Sequence, residues 1–485
     1  MYSPSCSALL VPARDGLFGS VANDLWPTLR LAGPVVAAQL AQVSIGFIDT
    51  IMVGHLGPEE LAAVALGNAV FFTLLIISTG VIQAVGPMVA QAVGADDREP
   101  VERSVRQGLW LGVLLAGPAC VLLWTADVWL VWANQEPPTV ARTAAYLRAI
   151  VWGFLPACWF MALRSFVEGL ARPLPVTIIA FVGVALNVAA NFVLMYGAWG
   201  LPALGIVGTG WASTLVFWTV FVLLAVFVGA AKPFSTYRVF SQLRVPDPTY
   251  LRELVRIGGP MGVSRGVEAG MFMITALMVG TLGARALASH QIALQCAAFT
   301  FMIPVGVAIA GAVRVGQAAG RDDPMGARVA GLASMTLATG FMTLAAILFW
   351  TVPRPIVALY LDVSAAGNAD VVETAVALLG IAAVFQVADG VQVAASGALQ
   401  GVKDTRVPML IAVATYWGVG LTTGYVLGLR WGWGAPGLWW GLVVGLSTAA
   451  VVLSLRFHLS IERAAVATSV RPDAPMPAVP TARSD

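Results

Sequence analysis

Long apolar stretches recur along the chain, separated by short breaks rich in polar residues, glycine and proline. Crossing bilayer hydrocarbon as a helix takes about 20 apolar residues at 1.5 Å each. Twelve stretches meet that length: 28–53, 62–93, 105–126, 144–169, 174–196, 205–230, 253–282, 286–318, 327–351, 373–400, 407–428 and 436–459. The pattern predicts an all-α polytopic membrane protein. Proline is tolerated inside such helices, and Pro34 in the first stretch and Pro260 in the seventh are predicted to kink theirs.

The chain also repeats itself. Leu31-Ala32-Gly33-Pro34 reads against Ile257-Gly258-Gly259-Pro260, and Ile51-Met52-Val53-Gly54 against Leu277-Met278-Val279-Gly280. Gln91-Ala92-Val93-Gly94-Ala95-Asp96-Asp97 then matches Gln317-Ala318-Ala319-Gly320-Arg321-Asp322-Asp323, always 226 residues later and without a gap. Six stretches lie between copies. An even number keeps both copies in one orientation, so the twelve helices form two six-helix lobes related as a parallel repeat. The expected organisation is an N-terminal segment (1–25), an N-lobe (26–230), a linker (231–250), a C-lobe (251–462) and a proline-rich, disordered tail (463–485).

Composition narrows the function. Charged residues make up 11% of the chain and hydrophobic ones 59%, against about 25% and 45–50% in soluble domains. Too few charges remain to cover a soluble enzyme or to bind nucleic acid. Of the 27 Lys and Arg, 20 fall in the two terminal segments and every second loop, such as Arg98, Arg103 and Arg106 in one and Arg314, Arg321 and Arg328 in another. The alternate loops hold only Arg142, Arg285, Arg354 and Arg430. Basic residues stay on the cytoplasmic side, so both termini are predicted to be cytoplasmic. Trp129, Trp132, Trp199, Trp431 and Trp433 gather at the opposite ends, as an interfacial belt does. The four cysteines are scattered with no CxxC pair, and no Walker A motif is present, so neither a redox or metal centre nor an ATPase is expected.

Intramembrane polar residues carry the chemistry, because a charge at the bilayer centre costs about 2.5–3.5 kcal/mol even on lenient scales. Glu268 and Asp389 lie near the midpoints of the seventh and tenth stretches. Two carboxylates at one depth in a dry bundle need a proton, a Na+ or an arginine, which points to a cation-coupling site. The plainer alternative pairs Glu268 with Arg265 one turn earlier. Asp49 near the outer end of the first stretch, with Asn187 and Asn191 one turn apart in the fifth, forms a second candidate pocket. There the alternative is that Asp49 is merely interfacial and the asparagines are glue between helices. In the repeat register Asp49 falls on Thr275 and Glu268 on Gln42. The lobes are therefore chemically unequal, and Gln42 joins the candidate N-lobe pocket.

Taken as a set, these residues resemble the multidrug and toxic compound extrusion (MATE) family, and its NorM-like branch in particular. The resemblance rests on Gly46-Phe47-Ile48-Asp49-Thr50-Ile51-Met52-Val53-Gly54 and Gly86-Pro87-Met88-Val89-Ala90-Gln91. It rests also on Asn187 and Asn191 before Tyr196-Gly197, on Glu268, and on Phe385-Gln386-Val387-Ala388-Asp389-Gly390-Val391-Gln392 before Gly401-Val402-Lys403-Asp404-Thr405-Arg406. It implies an antiporter, not an enzyme, in the bacterial inner membrane. Such a protein needs no cofactor and expels small cationic, amphiphilic drugs against inward Na+ or H+. In the family, the acids matching Glu268 and Asp389 form the C-lobe cation site, and those matching Asp49, Asn187 and Asn191 the N-lobe site. A tyrosine found in some members one turn before the tenth-helix acid is Phe385 here, removing a possible Na+ ligand. A self-contained repeat pair predicts that a monomer suffices. The competing reading is a lipid-linked oligosaccharide flippase of the same superfamily, which would line its cleft with basic residues.

Overall fold

The computed structural model describes residues 17–132, 135–200, 202–241, 243 and 246–470. Among them run twelve helices long and apolar enough to cross a membrane. They are α1 (Leu17–Gly54), α2 (Pro58–Gly94), α3 (Arg98–Trp124), α4 (Pro137–Gly169), α5 (Leu174–Tyr196), α6 (Ile206–Ala230), α7 (Pro248–Gly280), α8 (Ala284–Gly320), α9 (Pro324–Thr351), α10 (Ala369–Gly401) and α11 (Arg406–Arg430), with α12 (Gly434–Val470) last. The count agrees with the apolar stretches, and α5 agrees with its stretch end to end, but several other ends do not. α1 starts well before residue 28, and α12 continues as helix through 463–470, where the tail was expected to be disordered. Hydropathy marks where a helix enters hydrocarbon, not where its hydrogen bonds stop. The remainder of that tail, and Arg14, Arg244, Arg471 and Arg483 of the charge pattern, lie outside the described residues.

Helix ends follow local chemistry. Asp97, Asp247 and Asp323 cap α3, α7 and α9, the Asp247 Oδ1 accepting from the Thr249 and Tyr250 amides at 3.0 and 3.3 Å. The repeat reappears in the backbone. α2 and α8 both end with an aspartate in the left-handed region, Asp96 at φ 55° and Asp322 at φ 54°. The next amide closes each turn alike, Asp97 N onto Ala92 O and Asp323 N onto Ala318 O, both at 3.0 Å. α1 and α7 run through Pro34 and Pro260 without interruption. The break in α2 falls instead at Gln83–Ala84, and α11 widens to i→i+5 turns over Val413–Leu421.

Each lobe has its own apolar core, and each lends helix to the other. Leu254, Ile257 and Met261 of α7 join the N-lobe core, while Ala32 of α1 joins the C-lobe core. Small residues let the lobes meet. A Cβ on Gly94 would come within 2.2 Å of the Gln317 carbonyl, and one on Gly320 within 2.0 Å of the Gln91 carbonyl. The same two glutamines clasp the seam reciprocally: Gln91 Nε2 donates to Gly401 O at 2.8 Å, and Gln317 Nε2 donates to Gly169 O at 3.1 Å. The lobes are thus joined backbone to backbone at the end of the bundle that carries the linker.

Candidate functional site

Polar groups inside the helices gather in three places. The first is in the N-lobe. Asp49 of α1 is 6% exposed, and its Oδ1 accepts from both Asn187 Nδ2 at 3.0 Å and Asn191 Nδ2 at 2.6 Å. The i, i+4 spacing on α5 places both amides on one face, which is why both reach one carboxylate. The Ser213 hydroxyl of α6 faces the same group. Asn187 Oδ1 and Asn191 Oδ1 are buried without a partner. The cluster therefore holds a carboxylate and two amide oxygens without hydrogen-bond partners, a donor set suited to a small hard cation. Tyr146, fully buried on α4, lies within electrostatic reach of Asp49 and donates to Asn68 Oδ1 at 2.6 Å. Sequence reasoning missed Tyr146 and Ser213, since neither carries a charge to mark it within its helix.

Gln42 stands elsewhere. Its Oε1 accepts from Arg164 Nη1 at 3.2 Å, while Arg164 also donates to Gln39 Oε1 at 2.6 Å and to Glu168 Oε1 at 2.8 Å. Gln42 and Arg164 line a largely apolar N-lobe cavity of about 120 Å³ that contains neither Asp49 nor the asparagines. Two helical turns separate Gln42 from Asp49, and the buried guanidinium claims the nearer amide. Arg164 is 3% exposed and fully engaged, as a buried cation must be.

The third cluster is in the C-lobe. Asp389 of α10 is 4% exposed and accepts from Gln392 Nε2 at 3.0 Å. Gln392 Oε1 in turn accepts from the Tyr416 hydroxyl of α11 at 2.8 Å. Tyr416 and Gln392 line a cavity of about 40 Å³ together with Glu268 and Arg265 of α7 and Gln83 of α2, so the cavity touches both lobes. Glu268, Asp389, Tyr416 and Arg265 all lie within electrostatic reach of one another. Arg265 Nη1 sits 3.9 Å from Glu268 Oε2, beyond hydrogen-bond range. No described arginine or lysine comes within ion-pair distance of Asp389. One loosely placed cation thus faces two acids. Phe385 points away from this cavity: it is 2% exposed and meets Trp439 edge-on, with ring centroids 5.6 Å apart. Gln392 and Tyr416 are the C-lobe residues that sequence reasoning left out.

The MatE family model matches residues 34–193 and 260–426, one block in each lobe. A protein of Burkholderia vietnamiensis named multidrug resistance protein NorM is 41% identical over 91% of this chain and 95% of its own length. A probable multidrug resistance protein NorM of Rhizobium meliloti is 37% identical over 94% of this chain and 99% of its own. Among solved structures, an outward-facing multidrug resistance MATE family transporter of the MOP superfamily matches with a TM-score of 0.82 at 19% identity, covering 93% of this chain and 97% of the other. A eukaryotic MATE transporter matches with a TM-score of 0.80 at 18% identity, over 92% and 99%. These relatives are named as transporters and resistance proteins, not enzymes.

Proposed function

The chain belongs to the MatE family of multi-pass membrane proteins, and from that premise we propose that it is a multidrug efflux antiporter of the bacterial inner membrane. It exports small cationic, amphiphilic compounds in exchange for inward Na+ or H+, working as a monomer with both termini in the cytoplasm. One observation carries the reading: Glu268 lines a cavity at the seam between lobes, and a hydrogen-bonded chain links that cavity through Tyr416 and Gln392 to an Asp389 without its own cation. A carboxylate so placed has a resident only when H+, Na+ or a cargo cation arrives.

Coupling follows if each cation favours a different lobe arrangement, because a ligand shifts an equilibrium only by its differential affinity for the two states. The reciprocal glutamine clasp holds the linker side closed. Pro34 and Pro260, whose missing amides leave the Arg30 and Arg256 carbonyls unclaimed, give α1 and α7 their points of bending as the lobes rock. Asp49 with Asn187 and Asn191 forms the second cation pocket.

Ethidium movement into inverted membrane vesicles, followed at fixed pH with Na+ added or withheld, tests this. Transport that depends on an imposed Na+ or H+ gradient is expected. Gradient-independent movement, or binding of polyprenyl pyrophosphate in place of organic cations, overturns it in favour of a flippase.

A further inference from the structure

A groove of about 790 Å³ lies at the linker-side edge of the bundle, and neither Asp49, Glu268 nor Asp389 lines it. Five cations line it: Arg30 of α1, Arg172 between α4 and α5, Lys232 after α6, and Arg314 and Arg321 at the end of α8. Among the described residues only Arg314 has a carboxylate within ion-pair distance, Asp24 of α1. Arg30, Arg172, Lys232 and Arg321 are exposed at the mouth. Ala171 sits at φ 57°, a left-handed turn that ends α4 and carries the chain round into Arg172. The wall beside these charges is apolar, with Phe227 and an exposed Leu174.

An excess of Lys and Arg in the loops of one side is general for membrane proteins and by itself makes no site. Here two come from the N-lobe, one from the start of the linker and two from the C-lobe, and they converge on one concavity with an apolar flank. Guanidinium forks match phosphate oxygens, and basic pockets between helices at the interface hold anionic headgroups. We infer that this groove binds the phosphate headgroup of an anionic phospholipid, with the acyl chains descending past Leu174 and Phe227. Such a lipid bridges Arg30 and Arg172 of the N-lobe and Lys232 of the linker to Arg314 and Arg321 of the C-lobe, beside the Gln317 clasp. A free phosphate ion shares the headgroup chemistry but lacks the apolar half.

Native mass spectrometry of the full-length protein tests the assignment, with phosphatidylglycerol, phosphatidylcholine and inorganic phosphate as probes. Wild type should retain phosphatidylglycerol over phosphatidylcholine, and millimolar phosphate should not displace it. The exposed triple variant Arg30→Gln, Arg172→Gln, Lys232→Gln should weaken retention on the order of a hundredfold, and Lys232→Gln alone about fivefold. Arg98→Gln, an exposed residue on the same side but outside the groove, should change nothing. Equal retention by wild type and both groove variants overturns the site. Displacement by inorganic phosphate overturns the lipid and assigns the groove to a free anion.

Discussion

Asp49 and Glu268 are both carboxylates within long apolar helices, one in each lobe, yet they are held in opposite ways. Asp49 is buried and takes two amide hydrogens onto one oxygen from a rigid face of α5. Glu268 is half-buried, lines a cavity between lobes, and has only a guanidinium 3.9 Å away. Neutral donors organise the first site before any cation arrives. The second shares one loose cation between Glu268 and Asp389, so its charge is unbalanced. The N-lobe position equivalent to Glu268 sharpens the contrast. Gln42 there contacts Arg164, a cation already matched by Glu168. Repeat symmetry supplies two similar scaffolds, and only one keeps an unbalanced acid pair at the lobe seam.

The largest expected break in this comparison is in stability. Asp49→Ala strands two buried amide groups, each costing about 1–3 kcal/mol, and should lower the thermal midpoint of the purified protein by many degrees. Glu268→Ala strands no hydrogen-bonded partner and should leave the midpoint nearly unchanged. Equal losses would erase the distinction between the sites. Next comes the seam. Gly320→Ala places a methyl 2.0 Å from the Gln91 carbonyl, and overpacking of this kind costs about 1–3 kcal/mol. The linker side should open more often, read as faster labelling of a Gln83→Cys reporter by a membrane-impermeant thiol reagent from that side. Tyr416→Phe removes one hydrogen bond to Gln392 and should cost about 0.5–1.5 kcal/mol with a several-fold slower ethidium transport. The smallest effect is expected from Phe385→Tyr. Its ring packs on Trp439 and does not line the Glu268 cavity, so the new hydroxyl should leave the Na+ dependence of transport as in wild type.

Some of this was legible in the chain and some was not. Twelve helices, the parallel repeat and the juxtaposition of Asp49 with Asn187 and Asn191 could be read from apolar length, register and helical rise, because the bilayer removes most alternatives. Both ends of α5 could be read as well, but the start of α1 could not, since Asp24 and Thr28 continue it by side-chain contacts that hydropathy does not record. Gln42 was placed with Asp49 by register alone, and Arg164 took it, a pairing across 122 residues that no local pattern reveals. Gln392 and Tyr416 are neutral, and their role appears only once α10 and α11 are packed together. The same holds for the clasp: Gln91 and Gln317 stand out in the repeat, but their carbonyl partners are backbone atoms that any residue supplies.

Under the proposed antiport, cargo and coupling cation take turns on the C-lobe acids. Purified protein in weakly buffered micelles, titrated with ethidium while free H+ and Na+ are monitored, tests this most directly. Release of about one cation, H+ or Na+, is expected for each drug bound, with no release from a Glu268→Gln, Asp389→Asn double variant. Full-strength ethidium binding by wild type with no cation released, or undiminished release from the double variant, would contradict it.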